Sequence, residues 1–366
     1  MKGAFVPGLE LAEGFFRDAV NPILEKHFPQ IQYSAALIGT GSEVLGFDSE
    51  MSMDHHWGPR CQLFLTDADY EPYRDQIWQT LSLHLPSNYL GFPTSFTEPN
   101  PTDKGTQLLD PQNIGPVNHR VEIHTLGGFF SDYLGIHINQ EIAASTWLAL
   151  SSQKLRSTVS GRVFHDELGL QLVRKRLEWY PKDVWLYILA SCWNRIGQEE
   201  HLMGRAGIVD DEIGSSIIGS RLVRDIMRLA LYMERSYPPY QKWLGTAFRE
   251  LRSSAALTPL LLDTIHSATW RQRETCLLPA MELLIKQHND LGITEELPVE
   301  TSAFWGRPFK VVWGGRIAKA IAKHIEDSHL EKLAKVNPLG SVDLFSDSTE
   351  MVVNVSLIPR LEKLFD

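Results

Sequence analysis

Apolar residues recur at helical spacing over residues 9–28, and the run then gives way to YSAALIG at 33–39, a block apolar enough for a buried strand. CQLFL at 61–65 reads as a second strand, and a helix follows from about Asp69, with Pro72 early in it. The stretch 93–116 is rich in Pro, Asn, Thr and Gly and breaks both periodicities, so a loop is expected there. After it, VNHRVEIHTL at 117–126 alternates as a strand does, and Gly127-Gly128 opens a long region of helical pattern. Segments 181–204, 212–236, 270–291 and 309–326 carry that pattern most clearly. Strands gathered in the first third and helices after them predict an α+β chain, with a small mixed-sheet domain at 1–128 and a helical domain at 129–366.

Composition narrows the class. A length of 366 residues, 43% hydrophobic and 22% charged, is enough for a sizeable core and favours neither a disordered nor a fibrous chain. No apolar run approaches the roughly 20 residues of a membrane-spanning helix. The opening MKGAFVPGLELAEGFF lacks a sustained apolar stretch with a cleavage site, so a cytoplasmic protein is expected. The three cysteines, Cys61, Cys192 and Cys276, are far apart and without metal-finger or redox spacing, which fits buried thiols in a reducing compartment. A net charge of -10 argues against broad adhesion to nucleic acid, while a local basic patch can still hold a phosphate group.

The chemistry concentrates in GTGSEVLGFDSEMSMDHHWGPRCQLFL, which begins at the end of one strand and finishes in the next. Gly41 lets backbone N–H groups approach phosphate oxygens closely, and the Ser42 hydroxyl adds a donor beside it. Asp54, just before the second strand, is placed to hold Mg2+ against those phosphates, and Arg60 is a candidate phosphate contact. Glu122 lies between Val121 and Ile123, so in a strand it points away from them and toward the side of Arg120 and His124. The plain alternative makes Gly41-Ser42 a turn, Asp54 a cap, and His55, His56 and Trp57 packed aromatics.

The arrangement resembles the polymerase-beta-type nucleotidyltransferase superfamily, whose pattern is a Gly-Ser pair, a carboxylate pair one residue apart and a carboxylate on a later strand. The matching positions are Gly41-Ser42, Asp54 with position 56, and Glu122. The phrases GSEVLGFD, DHHWGPR, VEIHTLGGFFSDYLG and RSYPPYQKWLGTAF further resemble a domain-of-unknown-function family of predicted nucleotidyltransferases, over most of the chain. The resemblance implies a nucleotidyltransferase domain in the N-terminal third. It implies Mg2+ or Mn2+ held by Asp54, His56 and Glu122, a nucleoside triphosphate as co-substrate, and transfer of its nucleoside monophosphate to a hydroxyl of a small-molecule acceptor. An RNA end stays open as acceptor but is disfavoured by the charge, and no membrane partner is expected. The departure is His56, where the pattern places a second acid and where imidazole is a poor ligand for Mg2+. Three readings follow: a single-metal enzyme, a transferase or hydrolase using a softer ion through His56 with His55 or His124, or a nucleotide- or metabolite-binding protein that has lost catalysis.

In the helical half, Glu199 and Glu200 straddle the stripe Leu189, Cys192, Ile196, Met203. Aminoglycoside-type nucleotidyltransferases take a general base from their helical domain, so by resemblance either glutamate is a candidate; the alternative is a rim ion pair such as Arg195 with Glu199. Arg221, Arg224 and Arg228 share one helix face and offer three planar forks to a triphosphate or a leaving pyrophosphate, unless they form a solvated face partly neutralised by Asp225. Tyr237-Pro238-Pro239-Tyr240 with Lys242-Trp243 could wall an acceptor pocket or simply pack.

Overall fold

The computed structural model describes residues 5–366 except 55, 104 and 112–114, and only the backbone at Asp54 and Val352. It is mixed, with a small four-stranded sheet and many helices. Two compact units divide the chain: one runs to Glu141 and takes in Lys154–Glu178, the other holds Ile142–Gln153 and Trp179–Asp366. The division expected at 128/129 therefore falls inside the first unit.

In the first unit α1 (Gly8–Phe15), a π-turn (Phe16–Val20) and α2 (Asn21–His27) make the helical stretch expected at 9–28. They lead to β1 (Tyr33–Leu37), β2 (Arg60–Leu65) and α3 (Asp67–His84), whose start is capped by the Thr66 hydroxyl accepting from the Asp69 N–H. The later strand is β3 (Arg120–Thr125), followed at once by α4 (Leu126–Leu134). The sheet is completed by β4 (Arg162–Asp166), which lies in a stretch expected to be helical. Five residues carrying Arg162, His165 and Asp166 are too short and too polar to advertise a strand, and β4 is an edge with β1 as its one sheet neighbour. It precedes α5 (Leu170–Arg176).

Strand order is β3-β2-β1-β4, with β1 antiparallel to both neighbours and β3 parallel to β2. Ala35, Cys61, Leu63, Leu65 and Val121 face a core built with Phe15, Val20, Leu24, Ile77 and Leu81. Alternation sends Arg60, Gln62 and Phe64 to the opposite face, in register with Arg120, Glu122 and His124. The loop expected at 93–116 is partly ordered by the bridges Phe96↔Leu109 and Asn100↔Thr106.

The second unit is organised on α6 (Lys182–Ile208), which is buried at every position from Val184 to Trp193. It packs against α7 (Glu212–Met233), α8 (Trp270–Asp290) and α9 (Gly314–Ala322). The helix expected over 309–326 begins only at Gly314, because Lys310–Val311 pairs with Ser302–Ala303 and Trp313 is left-handed at φ 61°. A Cβ on Gly314 would stand 2.5 Å from the Trp193 carbonyl oxygen, so glycine permits the close approach of α9 to α6. Among the described residues, no helix is long and apolar enough to cross a membrane.

Candidate active site on the open face of the sheet

The chain leaves β1 through Gly39-Thr40-Gly41-Ser42. Gly39 has φ 84° and Gly41 φ 140°, and a Cβ on Gly41 would stand 2.6 Å from Arg60 Nη2. The Ser42 carbonyl then accepts from the Leu45 and Phe47 N–H groups at 3.2 and 2.9 Å, closing a tight turn that leaves Ser42 half-buried. Gly41-Ser42 is thus a real turn at a strand end, with the glycine required by its backbone and its neighbours.

Arg60 is almost wholly buried beneath this turn. Its Nε and Nη2 donate to Glu43 Oε1 at 2.9 and 2.6 Å, and Nη2 also donates to the Thr40 carbonyl at 2.7 Å. Burial works against the Arg60 charge, and the facing Glu43 carboxylate more than compensates, so the guanidinium is held above its ordinary pKa. Arg60 therefore staples the loop rather than offering itself to a phosphate. Gln62 does similar work one pair along, exchanging hydrogen bonds of 3.0 and 3.1 Å with the backbone of Ile38.

On β3 the Arg120 guanidinium links two of the expected metal ligands. Nη1 donates to His56 Nδ1 at 2.8 Å, and Nη2 donates to Glu122 Oε1 at 3.0 Å. Accepting from a guanidinium commits the Nδ1 lone pair and places the imidazole proton on Nε2. His56 reaches this position with a left-handed backbone, φ 52°, anchored by its N–H to the Gln107 carbonyl at 3.1 Å. His124 Nε2 stands 3.7 Å from the other Glu122 oxygen. Burial pushes the Glu122 pKa up, but His124 and the charges of Arg60 and Arg120 outweigh it and hold the carboxyl at about 2.

These contacts decide how a metal would fit. Glu122 is an ionised, half-buried carboxylate with the chemistry of a hard-cation ligand. His56 does not fit that role, since its Nδ1 is engaged and a guanidinium stands between it and Glu122. Among the described residues, no three His, Cys, Asp or Glu side chains are placed to share an ion. Asp54 ends the short turn Glu50–Asp54, and its side chain, like the whole of His55, lies outside the described residues. Trp57 packs with Leu11 and Phe92, as a packed aromatic would. Asp48, in the same segment, accepts from the Gly8 N–H at 2.7 Å and from Trp57 Nε1 at 3.1 Å.

Sequence reasoning missed the far wall. Phe129 stacks on Tyr133 at 5.5 Å, and both rings lie against Gly39. The Tyr133 hydroxyl pairs with Ser157 Oγ at 2.9 Å, and Lys154 Nζ donates to the Tyr133 carbonyl at 2.8 Å. Burial lowers the Lys154 pKa to about 8. A lone lysine in SSQKLRS gives no local signal; only the return of 154–178 to the first unit brings it beside the Gly39 loop.

In the second unit the expected site residues are engaged in ion pairs or with backbone. Glu199 pairs with Arg221, not with Arg195, which pairs with Asp225 at 2.7 Å. Arg224 and Arg228 meet Asp347 at 2.6 and 3.1 Å. The Glu200 carboxylate accepts from the Val312 and Gly314 N–H groups at 2.7 and 3.1 Å, and burial raises its pKa to about 7. That value suits a general base, but both oxygens already hold the turn into α9. Tyr237 is core, 4.7 Å from the Trp179 ring and 4.9 Å from Tyr180, while Tyr240 is only part-buried. His288 and Asn289 close the turn after α8 through Thr294 and the Leu297 backbone.

A family described as a domain of unknown function, DUF4037, matches residues 147–244, well under half of the chain. The match covers Lys154, Glu199, Glu200 and the three arginines of α7, and lies outside the 39–65 segment and Glu122. No curated protein and no solved structure matches the chain.

Proposed function

We propose that this chain is a nucleotidyltransferase-type protein that binds a nucleoside triphosphate on the open face of its sheet. The observation carrying the reading is that Arg60 of β2, the strand between β1 and β3, holds the Thr40–Ser42 turn through the Thr40 carbonyl, while Arg120 and Glu122 stand in register with Arg60 and Gln62 on β3. The Gly-Ser turn after β1 and the acid on the later strand β3 stand in the chain order on which the polymerase-beta-type resemblance rests. The turn offers backbone N–H groups and the Ser42 hydroxyl to phosphate oxygens, and Arg120 supplies a permanent charge. Since His56 does not fit a metal site, no chemical step is derived through Mg2+ or Mn2+.

A second reading is transfer of the nucleoside monophosphate to a hydroxyl of a small-molecule acceptor, with release of pyrophosphate. Glu122 favours it, because its ionised carboxylate is 37% exposed and so open to an acceptor hydroxyl. The base for that step is not Glu200, whose oxygens are taken by backbone.

The test is calorimetry with ATP, GTP, CTP and UTP, each in Mg2+, in Mn2+ and in a chelator, alongside an assay of pyrophosphate release. Binding of at least one triphosphate without pyrophosphate release is expected. Release of pyrophosphate moves the assignment to the second reading, and failure of all four nucleotides to bind removes both.

A further inference from the structure

We infer that Arg120 is the resident cation of this site, standing where a divalent ion would stand and meeting the phosphate charge itself. The inference rests on the reading that a polyphosphate binds on this face. The guanidinium occupies the position from which an ion would bridge His56 Nδ1 and Glu122 Oε1, at 2.8 Å from one and 3.0 Å from the other. Nη1 also reaches the His56 carbonyl at 3.3 Å, so the side chain is tied at three points and not merely swung in from solvent. Its side chain is 13% exposed, and the Phe96 ring lies beneath it at 5.6 Å.

The two arginines of this face differ in how their charges are met. Arg60 is matched by Glu43 at 2.6 Å in a nearly closed environment, so that pair leaves no charge for a ligand. Among the described residues Arg120 is ion-paired with Glu122, whose side chain is 37% exposed, with the Glu43 charge acting on it as well. A cation held against a half-open carboxylate can turn toward an incoming phosphate while keeping His56. Arginine stays protonated at any working pH and presents a fork suited to two phosphate oxygens, properties a metal-free phosphate site requires. The presence of histidine at position 56 is consistent with this arrangement: a neutral imidazole accepts one hydrogen bond from Arg120 without adding charge, whereas an acid there would favour a divalent ion.

The experiment has two arms on the full chain. Mn2+ binding is followed by electron paramagnetic resonance in wild type, Arg120→Gln and Arg120→Lys, and binding of inorganic tripolyphosphate and of ATP is followed by calorimetry in a chelator. Wild type should bind no Mn2+ at millimolar concentration without nucleotide, and should bind triphosphate as well in chelator as in Mg2+. Arg120→Gln should lose about tenfold or more in triphosphate affinity, with Arg120→Lys between the two and all three showing the same circular dichroism. Mn2+ binding by the wild type, or undiminished triphosphate affinity in Arg120→Gln, overturns the inference. If no triphosphate binds any form, the nucleotide reading has failed, and the Mn2+ arm still decides. In that case, Mn2+ binding gained only by Arg120→Gln upholds Arg120 as the occupant, and Mn2+ binding by none of the three proteins overturns it.

Discussion

Arg60 and Glu43 show how a candidate ligand turns out to be a support. The pair is 6% and 5% exposed at its side chains and carries the backbone of Thr40 with it. Removing one partner of such a pair leaves a buried charge without compensation, which costs about 3 kcal/mol or more. Glu43→Gln should lower stability by that amount in urea unfolding, and a loss below about 1 kcal/mol would show that the pair is not what holds the turn. Gly41, Ser42 and Glu122 were readable because glycine at a strand end and an acid among apolar strand residues are local signals. Arg120, Gln62 and Lys154 were not, since each matters through a partner 20 or more residues away in sequence, at His56, Ile38 and Tyr133.

At the scale of elements, long periodic helices and apolar strands were recognisable from spacing alone, whereas β4 and the start of α9 depend on partners. The start of α9 is shaped by a carboxylate on another helix: Glu200 of α6 accepts from the N–H groups of Val312 and Gly314 around left-handed Trp313. Its pKa is raised by burial from 4.5 to about 7, so between these values the folded protein holds a proton that the unfolded chain has lost. Stability should therefore fall as pH rises from about 4.5 to about 7 and level off above, by up to roughly 3 kcal/mol from this group. Glu200→Gln cannot titrate and should flatten that part of the stability curve, while one backbone N–H loses its acceptor at a cost of about 1–3 kcal/mol. The check is urea unfolding of both proteins at several pH values; an unchanged slope between pH 5 and 7 would assign the titration elsewhere.

At the scale of the whole molecule, the two units are not consecutive halves of the chain. Residues 142–153 leave the first unit and 154–178 return to it, so its sheet is finished only after the excursion. Pattern reading placed the boundary at 128/129 because the strands it could recognise end there, and the short polar edge strand β4 gave it no reason to look further. That strand has energetic consequences. It covers the second edge of β1, and Ser34 Oγ donates to Asp166 at 2.7 Å while the Tyr33 N–H donates to Glu167 at 3.1 Å. Behind it, Arg174 of α5 closes on the Thr158 carbonyl at 3.0 Å. A chain ended after Glu141 would present β1 as a bare edge, with unpaired backbone groups open to strand pairing between molecules. Ended after Glu178, the same chain keeps all four strands. The longer truncation should be monomeric and unfold in one cooperative transition, and the shorter one should aggregate or unfold without cooperativity. Equal unfolding midpoints for the two would mean that β4 is dispensable and that the first unit is complete without the returning segment.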